Sequence, residues 1–141
     1  MKITGIECKK CGDKLFSLNR HDFKMCSCKT VGVDGGADYT KITGNHENFN
    51  YINRDISEII EDIRVIFYWG QNYDKNGDRL ASTKFILLKD LTTGHIIGIL
   101  KYFTENMAPQ DDYEKTVSLS WVRTHLIFLE ELLYRIKHNL L

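Results

Sequence analysis

A chain of 141 residues, 43% hydrophobic and 27% charged, can form one ordinary domain or two small ones and has the composition of a packed globular protein. No apolar run approaches the ~20 residues of a membrane helix, and the opening MKITGIECKK lacks the apolar centre of a secretory signal, so no membrane partner and a cytoplasmic location are expected. Net charge is zero, with nine Lys/Arg against six Asp/Glu in residues 1–54 and ten against thirteen in residues 55–141, a poor balance for gripping phosphates.

The four cysteines fall within the first 28 residues, as Cys8-x2-Cys11 and Cys26-x-Cys28. In a reducing compartment this pattern favours a metal ion over two disulfides. A segment of ~40 residues rarely builds a sufficient apolar core, so an ion would supply folding energy. Four thiolates in a tetrahedron make a structural zinc site, and Gly12 directly after Cys11 suits a turn that needs positive φ. The single residue between Cys26 and Cys28 departs from the commoner two-residue spacing, which leaves open a site in which His21 replaces one cysteine. One structural Zn2+ on Cys8, Cys11, Cys26 and Cys28 is the expectation.

Short strands are predicted at residues 14–18 and 30–33, with Arg20, His21 and Asp22 in a turn and Asp34, Gly35 and Gly36 in another. Asp22 reads as a turn cap rather than a catalytic acid. The result is a zinc ribbon over residues 1–42.

The run Cys-Lys-Lys-Cys-Gly, then Arg20-His21-Asp22-Phe23, Cys26-Ser27-Cys28 and Val33-Asp34-Gly35-Gly36-Ala37-Asp38-Tyr39 resembles small zinc-knuckle proteins of unknown function from bacteriophages and their bacterial hosts. The resemblance covers residues 5–42 and implies no activity. It implies a phage origin and a role in modulating host machinery, such as anti-phage defence. Further on, Trp69-Gly70, Asp74-Lys75-Asn76-Gly77, Leu87-Leu88-Lys89-Asp90-Leu91, His95-Ile96-Ile97-Gly98-Ile99-Leu100, Trp121 and Tyr134-Arg135 carry a looser resemblance, over residues 64–141, to short phage proteins of unknown function.

Residues 43–54 are polar and turn-rich and read as a linker to an α+β unit over residues 55–141. Ile56, Ile59, Ile60 and Ile63 share one helical face, and Asp55 or Ser57 can cap that helix. Val65, Ile66, Phe67, Tyr68 and Trp69 favour a strand, and a second β-rich run covers residues 83–88. Asn76-Gly77 between them marks a hairpin. Asp74, Asn76 and Asp78 mimic the start of a calcium loop, but Arg79 and Phe85 stand where that loop needs Gly and Glu. A helix follows over residues 93–104, with Thr92 as N-cap and His95 exposed or capping, and then an acidic loop from Glu105 to Lys115.

The long C-terminal helix is predicted from Ser118 or Ser120 to about His138. Leu119, Val122, Leu126, Leu129, Leu133, Ile136 and Leu140 repeat at alternating spacings of three and four, a heptad seam. Trp121, His125, Phe128 and Leu132 form a second stripe beside it, read as a binding surface for self-association or for a host protein. Glu131 and Arg135 read as an i,i+4 pair giving minor support to the helix.

The expected fold class is therefore α+β: an N-terminal zinc ribbon, then a small unit with a β-hairpin and two helices, the last one long. With all four cysteines committed to metal, no nucleophilic cysteine remains, and no glycine-rich phosphate loop precedes a helix. A non-enzymatic binding protein is expected. A nucleic-acid-binding ribbon is the alternative, using Lys9, Lys10, Lys14, Arg20, Lys24 and Lys29, with Phe16 or Phe23 stacking on bases.

Overall fold

The computed structural model describes residues 1–18, 22–35, 40–106 and 119–141, without the side chains of Leu119 and Ser120. Arg20 and His21, the 36–39 part of the glycine turn, the acidic loop from 107 onward and the Ser118 cap lie outside the described residues. Among the described residues the protein is mixed α+β, with small antiparallel sheets and three α-helices. It divides into two compact units. The chain leaves the first between Ile59 and Ile60, and the division recurs within the last helix between Leu126 and Ile127.

The first unit carries two three-stranded sheets. Strands β1 (Lys2–Cys8), β2 (Lys14–Leu15) and β6 (Phe49–Asp55) pair in the order β2-β1-β6. Strands β3 (Lys24–Met25), β4 (Gly32–Asp34) and β5 (Lys41–Thr43) pair in the order β3-β4-β5. Residues 43–54, read as a linker, instead contain most of β6, which runs antiparallel to β1 from Lys2↔Asp55 to Cys8↔Phe49. Seven consecutive pairs tie one edge of a stretch whose Asn-rich composition disfavours strand, so tertiary pairing overrides local propensity here. The predicted 14–18 strand is confined to two residues.

The core of this unit gathers Ile6, Val31, Val33 and Phe49 around the buried Cys8 and Cys26, with Leu15 and Ile42 packed against it. The Asp22 carboxylate accepts from the Leu18 N–H at 3.4 Å and pairs with Lys24 Nζ at 2.8 Å.

A 3-10 turn at Ile56–Glu58, entered with Asp55 N–H donating to Glu58 Oε2, belongs to the first unit, and the second opens with α1 (Ile60–Arg64). Strands β7 (Tyr68–Tyr73) and β8 (Arg79–Leu87) form the expected hairpin. Asp74 Oδ1 accepts from the N–H groups of Asn76 and Asp78, and Gly77 takes φ 85°, so Asp74 acts as a turn residue. Helix α2 (Thr93–Asn106) starts at Thr92, whose Oγ1 accepts the His95 N–H at 3.1 Å.

Helix α3 (Leu119–Lys137) ends with Asn139 at φ 55° and Leu140 N–H donating to Arg135 O, a Schellman-type stop. In the second unit, Phe67, Trp69, Phe103 and Phe128 stack edge-on or tilted, with centroids 5.2–6.4 Å apart.

Candidate metal centre

The first unit shapes two loops toward each other. After β1, Gly12 N–H donates to Cys8 O at 2.8 Å and Cys8 N–H to Asp13 O at 2.9 Å, which closes the first knuckle. Gly12 sits at φ 78°, a conformation that costs glycine nothing. After β3, Lys29 N–H donates to Cys26 O at 2.9 Å and Cys26 N–H to Val31 O at 3.0 Å. Both knuckles are closed by an outer bond between residues five apart, but the inner closure is i to i+3 in the second and i to i+4 in the first. Lys29, at φ 58°, occupies the place that Gly12 fills in the first.

The four sulfur atoms all lie within 4.8 Å of one another. Cys8 Sγ is 3.6 Å from Cys28 Sγ, and Cys26 Sγ is 3.5 Å from it, and all four cysteines are free thiols rather than cystines. Cys8 and Cys26 are buried, and Cys11 and Cys28 open to solvent. This is the one group of three or more His, Cys, Asp or Glu able to hold a metal ion among the described residues.

The backbone is arranged to favour thiolates. Cys11 is held below the usual thiol range by the N–H groups of Asp13 and Cys28. The Thr30 hydroxyl, 3.1 Å from Cys28 Sγ, does the same for Cys28. At Cys26, burial pushes the pKa up, but hydrogen bonds from the Val31 amide, the Cys28 side chain, the Thr30 amide and the Cys8 side chain together make the net shift downward. Cys8, deepest in the apolar core, is pushed up to about 11 by burial. An ion entering the site would have to displace that proton.

Asp13 stands outside the four thiols and was not anticipated from the sequence. Its Oδ2 accepts from both the backbone N–H and the hydroxyl of Ser27, at 2.6 and 2.5 Å, and these bonds hold its carboxyl below the usual range. The available signal was positional: Asp13 lies two residues past the first pair, and Ser27 is the lone residue inside the second.

The stripe proposed as a binding surface divides. Phe128 is fully buried in the aromatic cluster of the second unit. His125 and Leu132 are half-buried, and Trp121 is exposed. The adjoining heptad seam is more open: Leu129, Leu133 and Ile136 are 37%, 58% and 52% exposed. Sequence reading did not foresee that Glu131 would be buried. It pairs with Arg64 Nε at 2.7 Å and Arg135 Nε at 2.6 Å, while Arg135 also donates to Leu88 O and Thr93 Oγ1.

A family model described as a domain of unknown function (DUF7695) matches residues 2–44, the segment that carries all four cysteines. No curated protein and no solved structure matches the chain. Among the described residues, no helix is long and apolar enough to cross a membrane.

Proposed function

We propose that this chain is a zinc-containing binding protein that acts by protein contact and performs no catalysis. The observation that carries the reading is the convergence of Cys8, Cys11, Cys26 and Cys28 within 4.8 Å. A tetrahedral ion with Zn–S bonds of ~2.3 Å needs sulfurs ~3.8 Å apart, and the 3.5 and 3.6 Å separations need only slight expansion. Four sulfur ligands close the coordination sphere, so zinc here would brace the fold of a ribbon rather than activate water.

The partner surface in this reading is the outward row Leu129, Leu133 and Ile136 on α3. Spacings of four and three suit helix-to-helix packing, and a second copy of the chain presents the same row, so self-association is the proposed mode. A host helix is the competing occupant. The narrower reading, a phage-encoded protein that blunts host anti-phage defence from within the cytoplasm, rests on the resemblance over residues 5–42.

Native mass spectrometry of protein purified without added zinc tests both parts. One zinc per chain and a dimer that becomes monomeric in Leu133→Glu are expected. Absence of zinc would overturn the metal reading, and a monomeric wild-type protein at tens of micromolar would overturn self-association. Binding of single-stranded nucleic acid with a steep salt dependence would favour the alternative ribbon.

A further inference from the structure

The second knuckle poses a geometric problem. Cys-x-Cys is one residue shorter than the spacing that normally turns two sulfurs onto one ion, and Lys29 rather than glycine takes the left-handed position that closes it. Two backbone bonds close the turn from outside its middle, Lys29 N–H to Cys26 O and Cys26 N–H to Val31 O, and neither engages the Ser27 amide. Asp13 supplies an external restraint. One carboxylate oxygen receives two donors from Ser27, the backbone N–H at 2.6 Å and the hydroxyl at 2.5 Å. Ser27 is the residue between the two metal ligands, so its amide plane helps set where Cys26 and Cys28 point. Asp13 is itself tied to the first knuckle, since its carbonyl accepts the Cys8 N–H at 2.9 Å.

We infer that Asp13 is a positioning residue for the metal centre: a carboxylate strap from the first knuckle that fixes the shortened second knuckle so that all four sulfurs face one ion. The inference rests on the zinc reading above. The same two donors keep the strap in place while the ion is absent, because neither bond involves a sulfur. Asp13 adds a negative charge beside four thiolates, which by itself disfavours their ionisation. An acid is kept there because an ionised carboxylate is the strongest acceptor for two convergent donors. Groups that orient metal ligands in this way typically carry 10–100-fold of the affinity.

The test is zinc affinity by competition with a chromophoric chelator, together with the visible spectrum of the cobalt-substituted protein, on the full chain. Asp13→Ala is expected to lose about 10–100-fold in zinc affinity and to show altered cobalt bands at full occupancy. Asp13→Asn keeps an oxygen acceptor and is expected to lie between Asp13→Ala and wild type. Ser27→Ala removes the hydroxyl arm alone and should show a smaller loss. Wild-type affinity and an unchanged cobalt spectrum in Asp13→Ala would overturn the strap. If Asp13→Ala fails to fold at saturating zinc, Ser27→Ala decides, and an unchanged affinity there overturns it. Wild-type protein that binds no zinc removes the metal reading itself, and that outcome is distinguished by the metal content measured beforehand.

Discussion

Glu131 carries the largest electrostatic stake of any single residue described in the second unit. It is wholly removed from solvent between Arg64 and Arg135, and the Arg64 guanidinium also lies 4.3 Å over the Tyr134 ring. Removing one member of such a network leaves buried charge without a partner. Glu131→Ala should therefore lower unfolding stability by about 3–5 kcal/mol in urea titration, far beyond the ~0.3–0.5 kcal/mol of an exposed helix pair. Lys29 is a second residue-scale case. A side chain at φ 58° crowds its own backbone, so Lys29→Gly should hold or raise the thermal midpoint of the zinc-loaded protein. Lys29→Val, branched at Cβ, should lower it.

At the scale of elements, helix starts and stops follow local chemistry. Thr92 caps α2 through the His95 amide, and Thr92→Ala should cost about 1 kcal/mol by thermal denaturation. The hairpin β7–β8 follows from Asp74 and Gly77, whose turn chemistry lies within five residues. Strand β6 does not follow from local chemistry, because its Asn-rich composition disfavours strand and its seven pairs with β1 come from more than 40 residues away. Helix α3 combines both kinds of cause. Its heptad seam is plain in the sequence, yet the face turned inward carries Ile127, Phe128, Glu131 and Arg135. Periodicity locates an apolar stripe but does not say which of two adjacent stripes meets the rest of the protein.

For the molecule as a whole, the proposed metal should govern one unit far more than the other. The first unit assembles its core around Cys8 and Cys26, whereas the second packs an aromatic cluster that contains no cysteine. Chelator treatment should therefore collapse the NMR amide dispersion of residues 1–55 while the resonances of α2 and β7–β8 persist. Acidification should act in the same direction. Burial raises the Cys8 thiol to about 11, so a bound ion would hold this sulfur in a deprotonated form that the protein alone disfavours at neutral pH. Protons and metal compete for it, and zinc content measured after dialysis should fall as pH drops from 7 toward 5. Retention of full zinc at pH 5 would contradict this.

Sequence alone picked out the four cysteines that the fold brings together, the hairpin turn, the Thr92 cap and the extent of the last helix to within a residue or two. Each depends on chemistry confined to a few neighbouring positions or to one repeating spacing. Tertiary structure decided that residues 49–55 form a strand, that Asp13 reaches Ser27, that Phe128 turns inward and that Glu131 is buried between two arginines. Apart from the Glu131–Arg135 pair, these depend on contacts between residues 14 to 67 positions apart, where the energy of pairing and desolvation outweighs the preference any one residue shows by itself.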